Sequence, residues 1–108
     1  MSLELSPLEL AARLRSSVPP RLLDVRELEE HDLVALPNSK LIPLGQILAR
    51  VGEIAAWKEE EIVVYCHHGI RSRHAIQLLE QQGFTRLRNL AGGIDQWTLE
   101  VDPALPRY

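Results

Sequence analysis

The segment Ile62-Val63-Val64-Tyr65 constrains the fold most strongly, because it runs directly into the only cysteine of the chain, Cys66. Four consecutive apolar or aromatic residues are typical of a strand buried on both faces, as strands of parallel sheets are. A short polar loop follows, and residues 75–79 then carry the apolar face of a helix that closes at Gly83. Strand, loop and helix in this order predict a unit of a parallel α/β sheet.

The same alternation recurs along the chain. Ser6, Pro7 and Glu9 predict a helix that begins with a capping box and continues until Pro19-Pro20 stops it. Further strands are predicted at residues 22–25, 40–44 and 87–90, and further helical segments at residues 27–31, 47–55 and 92–97. This order predicts an α/β fold with a mainly parallel sheet, and 108 residues, 1–108, suit a single domain.

Composition and charge exclude several classes of function. One cysteine permits no internal disulfide, and the N-terminus shows no basic start followed by an apolar run, so we expect a cytoplasmic protein without a signal peptide. No apolar run approaches the ~18 residues of a membrane span. The net charge of -3 argues against a nucleic-acid partner. Trp57 and Trp97 lack basic surroundings and are expected in the core or in a groove.

The loop after Cys66 reads Cys-His-His-Gly-Ile-Arg-Ser. Ligands of open α/β sheets bind at the carboxyl ends of strands, and the following helix N-terminus favours an anion such as a thiolate. Arg71 adds a positive charge, and Gly69 lets the loop N–H groups turn inward. We therefore expect the pKa of Cys66 to lie below the ordinary ~8.5. A lone cysteine can also be a packed hydrophobe, but the polar, glycine-containing loop favours a nucleophile.

Three segments, in order, resemble the rhodanese family of sulfurtransferases. Residues 66–71 resemble the six-residue active-site loop of that family, residues 22–27 resemble its N-terminal strand signature, and residues 90–97 resemble its Gly-Gly-x-x-x-Trp signature. Residues 36–40 depart from the Gly-His-Ile-Pro-Gly-Ala-like stretch that the family usually carries. The resemblance implies a rhodanese-like three-layer sandwich, with a mainly parallel five-stranded sheet and helices on both faces.

The resemblance also implies a function for the loop. Cys66 would carry sulfane sulfur as a persulfide, taken from thiosulfate or a persulfide donor and passed to a thiol or cyanide. A sulfur-carrier or other persulfide protein could serve as partner, and we expect a monomer that needs no cofactor. The residues expected to bind the substrate are His67, His68, Gly69, Ile70, Arg71 and Ser72.

The individual side chains carry separate expectations. Ser72 is predicted to cap the helix after the loop, and His67 and His68 either contact the donor or are simply exposed. The resemblance implies that Asp24 and Arg26 anchor loops. His31 is expected at the surface. No metal site is expected from Cys66, His67, His68 and His74, because adjacent residues seldom chelate one ion.

Other functions share parts of this pattern. Cysteine phosphatases and arsenate reductases resemble it but place five residues between cysteine and arginine, whereas four separate Cys66 from Arg71. Rhodanese-like binding modules commonly lack the cysteine that is present here. A sulfur relay for cofactor biosynthesis or tRNA thiolation would use the same chemistry with a protein partner. The Cys-His-His-Gly sequence is similar to loops of rhodanese modules attached to sulfur-carrier-activating enzymes.

Overall fold

The computed structural model describes residues 3–108, so the part of the predicted domain at residues 1 and 2 lies outside the described residues. Neighbouring strands all pair in parallel, in the order β1-β5-β4-β2-β3. The predicted parallel α/β sheet is confirmed, with residues 62–65 as its central strand. The strands are β1 (Glu4–Leu5), β2 (Arg21–Asp24), β3 (Lys40–Leu41), β4 (Ile62–Tyr65) and β5 (Leu87–Leu90).

The helices lie between the strands and follow most of the predicted positions. The capping box of Ser6 and Glu9 is present. The first helix nevertheless ends at Leu14, well before Pro19, because both the N–H and the hydroxyl of Ser16 bond to the Arg13 carbonyl and turn the chain. The helices are α1 (Pro7–Leu14), α2 (Leu28–Leu33), α3 (Ile47–Arg50), α4 (Ile70–Gln81) and α5 (Gly93–Glu100), with 3₁₀ helices at Leu44–Gln46 and Val51–Trp57.

Two apolar cores, one on each face of the sheet, hold the layers together. Because side chains alternate along a strand, Ile62 and Val64 of β4 join a core with α3 and α4. Val63 and Tyr65 face the opposite side and pack with α1 and α5, where Trp97 is buried. The three-layer arrangement is thereby confirmed. Within residues 3–108, no helix combines the length and hydrophobicity that crossing a bilayer requires.

The carboxyl ends of the central strands meet at one edge of the sheet. Tyr65 pairs with Asp24 at the ends of β4 and β2, and the helices α4 and α5 both begin at this edge after left-handed glycines, Gly69 and Gly92. Cys66 follows β4 directly. Topology therefore brings the cysteine loop and two helix N-termini together, as expected for a ligand site of an open α/β sheet.

Asp24 and Arg26 anchor the loops beside this edge, as expected. Their side chains are fully buried and form a two-bonded ion pair, with nitrogen–oxygen distances of 2.9 and 2.7 Å. Arg26 also donates to the Val34 carbonyl over 2.6 Å, which fixes the end of α2. His31, which was predicted at the surface, is partly exposed there, with Nδ1 2.8 Å from the Asp24 carboxylate.

The turn at residues 36–40, which departs from the family pattern, is closed by its own polar groups. Ser39 donates its N–H to the Leu36 carbonyl over 3.2 Å and its hydroxyl to the same oxygen over 2.8 Å. Asn38 adopts a left-handed φ of 62°, which asparagine tolerates better than most residues. The chain can therefore enter the edge strand β3 without the glycines of the usual family sequence.

Candidate active site

Cys66 lies immediately after β4 and is 1% exposed. The backbone N–H of Gly69 donates to its sulfur over 3.0 Å, and the hydroxyl oxygen of Ser72 lies 3.4 Å from the same atom. Gly69 has a φ of +106°, a left-handed conformation that glycine adopts without side-chain strain. The loop thus folds back so that one of its own N–H groups faces the sulfur, which is the role predicted for Gly69.

The surroundings of the thiol favour its ionised form. Burial raises the pKa of Cys66, but hydrogen bonds from the Ser72 side chain and from the backbone N–H groups of Ser72, Gly69 and His68 outweigh it. The pKa of Cys66 consequently lies below its ordinary value. Because the thiolate is the nucleophilic form of cysteine, this site is prepared for attack on an electrophilic sulfur.

Ser72 does not cap the helix, so that prediction was wrong. Helix α4 already begins at Ile70 with Gly69 as its N-cap, because the left-handed glycine turns the chain before Ser72 is reached. Ser72 is fully buried in the first turn of α4. Its hydroxyl donates to the side-chain oxygen of Asn89 on β5 and faces the Cys66 sulfur. The residue is therefore part of the sulfur's surroundings.

Arg71 lies at the start of α4, but its charge is shared with a partner that sequence reasoning did not find. Its guanidinium binds both carboxylate oxygens of Glu30, on α2, at 2.6 and 2.9 Å. This ion pair lowers the pKa of Glu30 to about 2 and raises the pKa of Arg71 above its ordinary value. Both groups are charged at neutral pH. The expected positive charge of Arg71 is present but largely compensated.

The two histidines of the loop form part of an aromatic stack. The His67 ring lies 3.9 Å from the His68 ring on one side and 3.9 Å from the Tyr108 ring on the other. The Tyr108 hydroxyl donates to Glu30 over 2.7 Å, which ties the stack to the Arg71 ion pair. Burial and the neighbouring His68 lower the pKa of His67, which favours the uncharged form of this ring.

His68 and Ile70 have exposed side chains. The His68 side chain is 62% exposed, and Ile70 as a residue is 75% exposed. Both were predicted to bind substrate. The backbone N–H of His68 acts on the Cys66 sulfur, and the binding of substrate by these two residues stays a prediction.

One group of side chains could be considered for a metal ion. His67, His68 and Asp95 each offer a ligand atom, and these atoms lie within 4.8 Å of one another. The two histidines, however, are adjacent in the chain and their rings stack on each other with planes 24° apart, an arrangement that does not favour chelation of one ion. Asp95 also forms an ion pair with Arg107 at 2.9 Å. That the protein uses no metal ion stays a prediction.

The N-terminus of α5 holds the other side of the loop. The N–H of Ile94 donates to the Cys66 carbonyl over 2.9 Å, and the N–H of Asp95 donates to the His67 carbonyl over 3.2 Å. Gly93 makes this approach possible: a Cβ atom there would lie 2.3 Å from the His67 carbonyl oxygen. The second glycine of the Gly-Gly-x-x-x-Trp segment therefore fits directly beneath the cysteine loop.

Sequence comparison matches the rhodanese-like domain over residues 6–100. The chain belongs to this family. The matched residues include the cysteine loop and both flanking signatures. The predicted resemblance, and the fold that it implied, are thereby confirmed.

Relatives of this rhodanese-like chain include longer proteins. The chloroplastic rhodanese-like/PpiC domain-containing protein 12 of Arabidopsis thaliana is 37% identical over 90 residues, which cover 82% of this chain and 30% of that protein. The putative sulfur carrier protein YrkF of Bacillus subtilis is 38% identical over 77 residues, covering 71% of this chain and 40% of that protein. The chain thus spans well under two thirds of the length of these relatives.

Similar solved structures include proteins of the same size. A rhodanese-like domain protein from Staphylococcus aureus is 30% identical with a TM-score of 0.83, and the match covers 99% of each chain. The human single-domain sulfurtransferase TSTD1 is 28% identical with a TM-score of 0.80, covering 93% of this chain and 98% of that one. One rhodanese-like domain therefore accounts for nearly all of this chain.

Proposed function

We propose that this protein is a sulfurtransferase that carries sulfane sulfur as a persulfide on Cys66. The observation that supports the proposal most directly is the buried Cys66 sulfur with the Gly69 N–H 3.0 Å away, at the head of a six-residue loop. A thiolate held in this way is an activated nucleophile that can form a covalent intermediate. Membership of the rhodanese-like family is consistent with this chemistry.

In the loading step the Cys66 thiolate attacks the outer sulfur of the donor. A bond forms between the Cys66 sulfur and that atom, the sulfur–sulfur bond of the donor breaks, and its electron pair leaves with sulfite or with the thiolate of a persulfide donor. The outer sulfur keeps its negative charge. Backbone N–H groups of the loop, such as those of His68 and Gly69, then stabilise that charge, as an oxyanion hole does for oxygen.

In the discharge step a thiolate or cyanide attacks the outer sulfur of the persulfide. The bond to Cys66 breaks, and its electron pair returns to the Cys66 sulfur as a thiolate. The lowered pKa of Cys66 makes it a better leaving group for this step than an ordinary cysteine. No oxidant or reductant is consumed, since the donor and the acceptor exchange the same sulfur atom.

The charges around the loop affect which sulfur donor the site favours. Arg71 is compensated by Glu30, and the lowered pKa of His67 favours its uncharged form, so little net positive charge faces the substrate. A persulfide, with one negative charge, suits these surroundings better than the doubly charged thiosulfate. The relatives also include a putative sulfur carrier and the adenylyltransferase and sulfurtransferase uba4 of Ogataea parapolymorpha. A protein persulfide or sulfur carrier is therefore a second candidate for the natural partner.

The chemistry of one reactive thiol supports a proposed location, oligomeric state and cofactor requirement. Cys66 must be reduced to accept sulfur, which favours the cytoplasm. A monomer suffices for the reaction, because every group named around the sulfur comes from one chain. The reaction needs no cofactor, since the cysteine itself carries the transferred atom.

An assay of sulfur transfer beside phosphate hydrolysis tests the proposal. We expect cyanide-dependent turnover with glutathione persulfide and with thiosulfate, and none with p-nitrophenyl phosphate, because a six-residue loop is too small for a tetrahedral phosphate. The kcat/KM for the persulfide should exceed that for thiosulfate, because the reacting end of the persulfide carries less negative charge. Phosphatase turnover without sulfur transfer would contradict the proposal.

A further inference from the structure

Asn89 connects the Cys66 site to the edge of the sheet. It lies on β5 and is fully buried. Its side-chain nitrogen donates to both carboxylate oxygens of Glu4, on β1, at 3.1 and 3.0 Å, and to the Gly69 carbonyl over 3.3 Å. A carboxylate can only accept hydrogen bonds, so Glu4 fixes which end of the amide faces which way. The side-chain oxygen of Asn89 must then face Ser72.

Ser72 has one hydroxyl hydrogen and two acceptors for it. Its oxygen lies next to the Asn89 side-chain oxygen, which can only accept, and 3.4 Å from the Cys66 sulfur. With a neutral thiol the bonds run in one direction: the thiol donates to Ser72, and Ser72 donates to Asn89. A thiolate has no hydrogen to donate and is itself a strong acceptor. Ser72 can stabilise it only by turning its hydrogen away from Asn89.

We propose that Asn89 is a positioning residue that competes with the Cys66 sulfur for the hydroxyl hydrogen of Ser72. The hydrogen points to Asn89 when the sulfur is a thiol or is bonded to the transferred sulfur, and it points to the Cys66 sulfur when that atom is a thiolate. Asn89 touches neither the substrate nor the reacting atoms, and it acts through Ser72.

The competition matters most when sulfur leaves the protein. This part of the inference rests on the proposed function. In the persulfide the Cys66 sulfur is uncharged and makes two covalent bonds, so Ser72 remains bonded to Asn89. As the acceptor removes the outer sulfur, negative charge develops on the Cys66 sulfur, and the Ser72 hydrogen turns to it. The bond to Ser72 is thus strongest when the charge is present, as catalysis requires.

Other charged groups near the sulfur also affect the pKa of Cys66, independently of the Ser72 hydrogen. Arg71 and Arg73 attract the Cys66 thiolate from α4. Glu4 lies beyond Asn89, so replacing Asn89 also changes the effect of the Glu4 carboxylate on the pKa of Cys66. The charged and titratable groups on the surrounding elements include Glu4, Asp24, Arg26, Glu30, Tyr65, His67, His68, Arg71, Arg73, Arg88, Asp95 and Tyr108.

The pH dependence of iodoacetamide alkylation tests the inference in the protein without any sulfur donor. Only the thiolate reacts, so the rate rises with pH through the pKa of the single cysteine, and this midpoint should lie below ~8.5 for the unaltered protein. Ser72→Ala should raise the midpoint by about one pH unit, because a hydrogen bond to the thiolate is lost. Asn89→Leu should lower it by about half a unit, since Ser72 loses its competing acceptor.

The double variant distinguishes competition from general disturbance. In the Ser72→Ala background we expect Asn89→Leu to lose its lowering effect, whereas any influence through Glu4 is the same in both backgrounds. Thr98→Val, which alters another buried polar residue, should leave the midpoint unchanged. Should Asn89→Leu fail to fold, Asn89→Ala gives the same comparison. An equal shift in both backgrounds, or no lowering when Ser72 is present, would overturn the inference without bearing on sulfur transfer itself.

Discussion

We expect replacement of Cys66 by serine to reduce sulfur transfer to the rate without protein, while the fold persists. Cys66 is the only thiol of the chain, and a serine hydroxyl at this position stays protonated at neutral pH and cannot accept sulfur. The smaller oxygen keeps polar neighbours in the Gly69 N–H and the Ser72 hydroxyl. We expect the free energy of unfolding to change by no more than about 1–2 kcal/mol. Turnover with a persulfide donor and thermal unfolding measure the two effects.

A matched control for this variant is Ala75→Ser. Ala75 is fully buried in the same core as Cys66 but lies within α4 and is not part of the loop. This change also introduces a buried hydroxyl, so it reports on the cost to the core alone, and its turnover should remain close to that of the unaltered protein. Near-normal turnover in folded Cys66→Ser would refute the role of Cys66.

The second large effect is expected for Gly93→Ala. Gly93 has a φ of +64°, and a Cβ atom there would lie 2.3 and 2.5 Å from the His67 carbonyl oxygen and carbon and 2.6 Å from the Cys66 carbonyl oxygen. These are backbone atoms of the loop, so the loop must move. Because displacement of about 1 Å can cost ~100-fold in rate, we expect kcat/KM to fall at least ~100-fold. Steady-state kinetics on the folded variant measure this loss.

Gly92→Ala is the matched control for backbone strain. Gly92 has a similar φ of +74°, but the atoms nearest to its added Cβ belong to the Gln96 side chain, at 2.5 and 3.0 Å, and not to the backbone of the cysteine loop. Both variants should lose stability, of the order of 1–3 kcal/mol for a left-handed non-glycine residue. Only Gly93→Ala should lose most of its turnover. Equal kinetic losses in the two variants would show that strain at the start of α5, and not contact with the loop, limits activity.

The elements around Cys66 were predictable because their signals are local. The apolar run of β4, the glycine-containing loop and the helical pattern of α4 follow one another, and each has a physical reason visible in the sequence. Gly69 illustrates this point: its position after the polar residues indicated a turn, and the structure gives it a left-handed φ. The order of strands and helices then determined the parallel sheet.

The partners of the loop residues were not predictable in this way. Glu30, which compensates Arg71, lies 41 positions before it in the chain. Asn89 bonds to Ser72 from another element, and its only sequence signal is a polar residue inside a short predicted strand that also contains Arg88. The strand β1 comprises only two residues and exists because it pairs with β5. Such features depend on tertiary contacts, which no local pattern encodes.

The most direct test of the account is the intact mass of the protein after incubation with glutathione persulfide or thiosulfate. Because Cys66 is the only cysteine, a persulfide adds one sulfur atom and leaves a single possible site. We predict a gain of one sulfur atom that dithiothreitol or cyanide removes, and no gain in Cys66→Ser. An unchanged mass with every sulfane donor, or the same gain in Cys66→Ser, would contradict a persulfide on Cys66.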